Sequence, residues 1–357
     1  MTPLSWFILI GAIVTLGAIV AARVGDRLGL PALLLFLLLG IALGDSGLGI
    51  RFSNATLAHD LGFIALALIL AEGGLTTRWE DVRPVLGLGV LLATLGVLVT
   101  IGLVGLFGYY VLRLPRSVAF LLGAVVAPTD SAAVFSVLRG VRIPTRLRAA
   151  LEAESGLNDA PAVLLVAAGT AFALGQPPRG GVPGLLGMVV LELVGGALLG
   201  AAVGFLATFV MRRIALPATG LYPLAALAWL IAGYGVAPLL HVSGFAAVYV
   251  AGVIVGNGQL PHRHAIRSFA EGVGWISQIG LFVMLGLLAS PTRLTWSGAA
   301  TGIGVGLFLT LVARPVAVVA CAGWFRMPWR QQAFLSWAGM RGAVPIILAT
   351  VPLAAGM

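Results

Sequence analysis

The sequence predicts an all-α polytopic membrane protein, and two properties predict it. Of its 357 residues, 60% are hydrophobic and only 9% charged, with a mean hydropathy of +1.09. A water-soluble domain carries charge on about a quarter of its residues, and no soluble fold of this length could hide so much apolar surface. The apolar residues also fall in successive runs from Leu4 almost to Met357, each close to the ~20 residues a helix needs to cross a hydrocarbon core. These runs fill the chain, so 1–357 reads as a single transmembrane domain with no soluble domain attached.

Twelve helical spans are expected, at about 4–22, 30–49, 57–75, 84–112, 117–138, 149–174, 184–211, 219–236, 238–257, 270–289, 297–323 and 331–355. The first run has no basic leading segment, which makes it a span rather than a signal peptide. The connections are short, so any chemistry must lie within the membrane. Basic residues are retained on the cytoplasmic side. Loops after odd-numbered spans hold fourteen arginines: Arg23, Arg27, Arg78, Arg83, Arg139, Arg142, Arg146, Arg148, Arg212, Arg213, Arg263, Arg267, Arg326 and Arg330. The alternate loops hold five, Arg51, Arg113, Arg116, Arg179 and Arg293, which places the N-terminus outside.

Several function classes drop out. The net charge of +9 comes entirely from arginines scattered one to four at a time, not from the clustered basic face of a nucleic-acid binder. The single Cys321 excludes a disulfide framework and a cysteine metal site. His59, His241, His262 and His264 show no ligand spacing, and the last two flank Arg263 in a loop. Gly44-Asp45-Ser46-Gly47 matches the tetrapeptide around a trypsin-like serine, but it ends a span and lacks the β-barrel setting that would give it meaning.

Charged residues within the spans carry the chemistry. An ionised side chain at the bilayer centre costs at least about 2.5–3.5 kcal/mol, so Glu72, Asp130, Glu154, Asp159, Arg314, Arg341 and, as a further candidate, Glu192 must be paired, functional or both. In span five, Pro128 lacks an amide hydrogen and breaks the helix near its centre, at Thr129 and Asp130. Broken transporter helices oppose two half-helix dipoles around a midplane site; the plainer alternative is a proline kink with Asp130 as a cap. In span six, Ser155 and Asp159 are four residues apart and share a face, with Glu154 and Asn158 on the neighbouring stripe. Hard oxygens with one net negative charge suit a partly dehydrated alkali cation, although the same groups could simply bridge helices. Pro161 then loosens the turn that follows. Arg314 in span eleven needs a buried counter-charge; Glu154 is the candidate, which would leave Asp159 free to titrate, and Glu192 is the alternative. In span twelve, Gly339, Gly342 and Pro345 bracket Arg341 and make a second broken helix plausible. One break in each half suggests an inverted repeat, with Arg341 offsetting the half-helix ends or, more simply, snorkelling from a packing seam. Glu72, near the end of span three, is an accessory ligand, a gate or an interfacial acid.

With APTDSAAVFSVLRG, EAESGLNDAPAV, IALPATGLYPLAALA from Ile214, GFAAVYVAGVIVGN from Gly244, VARPV from Val312 and WAGMRGAVPIILAT in hand, the chain resembles the bacterial NhaP-type branch of the cation:proton antiporter-1 family over nearly its whole length. The resemblance implies a potassium or sodium/proton antiporter of the bacterial inner membrane and not an enzyme. It also implies an elevator-type homodimer with two crossed, broken helices in a core domain and a separate dimerisation domain. Asn158-Asp159 is similar to the pair of the electroneutral one-for-one class. By the same resemblance Asp159 carries proton and cation, Thr129, Asp130 and Ser155 surround the cation, Glu154 bridges to Arg314, and Glu72 assists. No cofactor is implied beyond the transported ions. Twelve spans leave Met357 outside, whereas the family typically has thirteen, so the chain is expected to lack the last span and a regulatory tail. Two rivals remain at this point. One is a cation channel, and the other is an intramembrane aspartyl protease using Asp130 and Asp159.

Overall fold

The computed structural model describes residues 3–45, 47–50, 52, 54–138, 141–176, 180–289, 292, 295–342 and 344–357. Arg51, Arg139, Arg179 and Arg293 of the loop tally, and Ser46 of the tetrapeptide, lie outside the described residues. The described chain is helical throughout: α1 (Pro3–Leu28), α2 (Ala32–Leu43), α3 (Ala55–Thr76), α4 (Trp79–Tyr110), α5 (Arg116–Val126), α6 (Ser131–Val137) and α7 (Thr145–Ala173), then α8 (Gly181–Arg213), α9 (Leu221–Leu240), α10 (Gly244–Asn257), α11 (Arg263–Leu288), α12 (Trp296–Phe325), α13 (Trp329–Trp337) and α14 (Val344–Ala354). Among the described residues, eight helices are long and apolar enough to cross a membrane, and α2, α5, α10 and α14 are shorter apolar helices. The result is a polytopic all-α membrane fold with broken helices.

Hydropathy located the helices but not all their ends. The span expected from residue 84 starts at Trp79, because Glu80 and Asp81 suit the positive end of a helix and the Asn257 side chain accepts the Trp79 amide at 3.0 Å. The span expected from residue 270 starts at Arg263 for a related reason: its first two turns are polar and lie beyond the apolar run. The ninth span was expected to start at residue 238, but 237–240 finishes α9. His241, with φ 52°, ends that helix, and α10 begins after Ser243, whose hydroxyl accepts the Ala246 amide at 3.3 Å. The second span was expected to reach residue 49 and stops at Leu43, where Gly44 turns to extended backbone.

Two groups of helices form. In one, α3 packs on α10 and α11, α2 on α11, and α8 on α10; in the other, α5 packs on α4 and α7, and α12 on α4 and α13. Small residues allow the first group's close approaches: Gly74 of α3 meets Gly252 of α10, and Gly40 of α2 meets Gly286 of α11, where any side chain would overlap backbone. Contacts of α14 with α3 and of α10 with α7 join the groups. The site lies at this junction.

Candidate functional site

The site is built on two interrupted helices that touch at their breaks. α5 stops at Val126 and α6 resumes at Ser131, so Pro128, Thr129 and Asp130 are non-helical. α13 stops at Trp337 and α14 resumes at Val344, with Gly339–Gly342 non-helical between them. The Asp130 amide donates to the Met340 carbonyl at 2.9 Å, tying one break to the other. The Asp130 carboxylate accepts the Ala133 amide at 3.3 Å and lies against Gly342, where a side chain would overlap it.

Each half-helix C-terminus meets an arginine. Arg341 Nε donates to the Val126 carbonyl at the end of α5, and its Nη1 to the Gly339 carbonyl, both at 2.9 Å. Arg314 Nη2 donates to Leu335 O in the last turn of α13 at 3.1 Å. The carbonyls of a last turn have no helical donor and carry the negative end of the dipole, so the two cations answer two equivalent demands. Arg314 also grips Glu154 with both nitrogens: Nη1 to Oε1, and Nη2 to Oε2 at 2.8 Å. Both partners are buried, 3% and 2% exposed. The alternative partner, Glu192, is half-buried on α8.

α7 runs unbroken through Pro161 and presents its polar residues to different neighbours. Glu154 turns to Arg314. Asn158 Nδ2 donates to Thr129 Oγ1 at 2.7 Å, and Asn158 is absent from the cavity lining. Ser155 Oγ accepts the Ser131 amide at 3.2 Å. Asp159 is 5% exposed, and its Oδ1 is a buried oxygen with no hydrogen-bond partner among the described residues, as is Oδ1 of Asn158.

A cavity of about 350 Å³ reaches Asp159. Thr129, Asp130, Ser155 and Asp159 line it, together with Glu72, Thr76 and Thr77 from the end of α3 and Glu152 from the first half of α7. Glu72, packed against Gly274 of α11, therefore belongs to the same space as Asp159. Ser131, Glu152, Tyr249 and Gln278 also line it and were not singled out in the sequence. Glu152 had a signal, since 152, 155, 156 and 159 share one helical stripe; Tyr249 and Gln278 come from helices whose rotation the sequence does not give. Among the described residues no group of three or more His, Cys, Asp or Glu could hold a metal ion.

The signature of the family described as "Sodium/hydrogen exchanger, transmembrane" matches residues 11–357. The chain belongs to this exchanger family. Among similar exchangers is the K(+)/H(+) antiporter NhaP of Alkalimonas amylolytica, 40% identical over 364 residues that cover 100% of this chain and 62% of that protein. The K(+)/H(+) antiporter NhaP2 of Shewanella oneidensis is 36% identical over 98% of this chain and 61% of that protein. The chain thus spans about three-fifths of these relatives' length. The structure of the sodium proton antiporter MjNhaP1 from Methanocaldococcus jannaschii at pH 8 superposes with a TM-score of 0.82 at 25% identity, covering 98% of this chain and 88% of that one. The broken-helix fold described above is therefore the fold of an NhaP-type exchanger.

Proposed function

We propose that this chain exchanges a monovalent cation, K⁺ or Na⁺, for H⁺ across the membrane, one for one, with Asp159 as the carboxylate the two ions share. One observation carries the reading: Asp159 lines the cavity of about 350 Å³ and its Oδ1 is buried without a hydrogen-bond partner among the described residues, while Glu154 is held by Arg314. A bare carboxylate is expensive to move through a low-dielectric barrier. The helix carrying it therefore moves readily only when a proton or a partly dehydrated cation neutralises it, and exchange follows from that obligation. Oxygens of Thr129, Asp130 and Ser155 complete the cation's surroundings. Asn158 acts on the site from behind, by holding Thr129 in place, and Glu72 assists from α3. The relatives are K⁺/H⁺ and sodium/proton antiporters, which agrees with either cation.

The architecture goes with that function. Eight long and four short apolar helices make twelve spans, the broken pairs α5–α6 and α13–α14 each counting as one with its non-helical break. α4 and α12 each contain a widened π turn, at Leu92–Gly96 and Leu309–Ala313, and each precedes a broken helix; this correspondence supports an inverted repeat. The group around α4–α7 and α12–α14 is the moving core. The group around α3, α8, α10 and α11 is the dimerisation domain of a homodimer in a bacterial inner membrane, with the N-terminus outside.

The test is a reconstituted vesicle with a trapped pH dye. A K⁺ or Na⁺ gradient should drive proton movement in the wild type, and Asp159→Asn should abolish it. Exchange that persists in Asp159→Asn overturns the assignment, and large unitary currents in a bilayer would make the protein a channel.

A further inference from the structure

One wall of the cavity has no task in the exchange reading. Tyr249 of α10, 7% exposed, lays its ring on the backbone of Gly156 in α7. A methyl group on Gly156 would overlap ring atoms Cζ and Cε2 and the hydroxyl oxygen. Both residues line the cavity, as do Thr77, Glu152 and Asp159, the last one helical turn beyond Gly156.

The backbone that carries the ring is held in place. The Tyr249 carbonyl packs against Gly74 of α3, and Gly252, one turn along α10, packs against the same glycine. Tyr249 is thereby fixed to the α3–α10 platform, whereas Gly156 belongs to the helix that carries Asp159. Positions three and four residues either side of Gly156 are Glu152, Ala153, Asp159 and Ala160. All of them carry a β-carbon on the same stripe, so Gly156 is a notch between filled positions. The ring fits α7 in one register.

We propose that Tyr249 is a positioning residue: seated in the Gly156 notch, it holds α7 in the register where the cavity opens beside the arginine-rich loops, and it must leave the notch when α7 moves. This rests on the exchange reading above. A weakened seat lowers the fraction of molecules in the cavity-open register, and the apparent KM for a cation arriving there rises by the inverse of that fraction. Alanine is a better helix former than glycine, so an effect of Gly156→Ala would not come from the backbone of α7.

The experiment measures KM and saturating rate for K⁺ supplied on the cavity side of vesicles carrying wild type, G156A, Y249A, Y249F or the G156A/Y249A pair. G156A should raise KM about fivefold or more when Tyr249 is present and less than about twofold in the Y249A background, because the two changes act on one contact. Y249A alone should raise KM, and the conservative Y249F, which keeps the ring, should restore it; this comparison stands even if G156A fails to fold. An equal effect of G156A in both backgrounds, no effect in either, or Y249F behaving as Y249A overturns the proposal. If wild type shows no cation-driven proton movement, the exchange reading fails and takes this inference with it. If wild type exchanges, Asp159→Asn does not, and the pair is uncoupled, only the positioning role fails.

Discussion

Replacing Glu154 with glutamine tests the charge balance of the site most directly. An exposed ion pair contributes about 0–1 kcal/mol, but Glu154 and Arg314 are 2% and 3% exposed and share a two-point contact. Removing one charge leaves the other buried and uncompensated, which costs about 3–5 kcal/mol. Taking an unfolding entropy of about 2.1 cal/mol/K per residue over 357 residues, the unfolding midpoint should fall by roughly 4–7 °C. Replacing both partners, as in E154L/R314M, removes both charges and, among the described residues, leaves Leu335 O without its donor, at about 1–3 kcal/mol. The double variant should therefore recover part of the midpoint. Thermal unfolding of the purified protein in detergent reads both values. A fall below about 1 °C in E154Q, the behaviour of a surface pair, or a double variant as unstable as the single one, would refute the reasoning.

Three further outcomes are expected. Gly342→Ala drives a methyl group into the Asp130 carboxylate, whereas a methyl on Gly302 meets open space; in vesicles the first should lose cation-driven proton movement and the second keep it. Arg341→Met leaves the Val126 and Gly339 carbonyls without a donor, at about 1–3 kcal/mol for each one left buried and unsatisfied, and Arg341→Lys should restore part of the lost thermal midpoint. If proton and cation share Asp159, acidifying the cation side fills the carboxylate with protons, so the apparent KM for the cation rises, by up to about tenfold per pH unit once the empty site is mostly protonated. The saturating rate measured on that side should hold, and a rate that falls while KM stands still would separate the two sites.

The sequence exposed the membrane class, the two breaks and the polar face of α7, because each depends on local composition. An apolar run, a proline inside it, and a serine and aspartate four apart are read without knowing any neighbour. Which polar group met which neighbour was less accessible. Ser155 and Asp159 share a stripe with Glu152 and Gly156, but only the placement of α10 turns that stripe towards Tyr249. Arg314 demanded a counter-charge from composition alone, and both Glu154 and Glu192 could have supplied it. Its second duty at Leu335 O was invisible, because it depends on where α13 stops. Helix ends were misjudged where polar turns extend a helix past its apolar run, as at Arg263.

If Asp159 exchanges ions as proposed, the arrangement also gives a reason why one carboxylate among several is left to alternate between them. A broken helix brings two opposed partial charges to the membrane's interior, and two breaks bring four. Here the C-terminal ends are met by Arg341 and Arg314, and Asp130 sits before the N-terminal end of α6 with its side chain on the Ala133 amide. Arg314 would bring one positive charge too many, and Glu154 removes it. On the proposed exchange reading the fixed groups then offset one another, and what remains to vary is the state of Asp159. A substitution that unbalances the fixed set, such as Glu154→Gln, would then alter transport by changing the field at Asp159 as well as by loosening the fold. If E154Q, which unbalances the set, exchanges with an unchanged KM for K⁺ while the E154Q/R314M pair regains the thermal midpoint, the fixed charges do not reach the site.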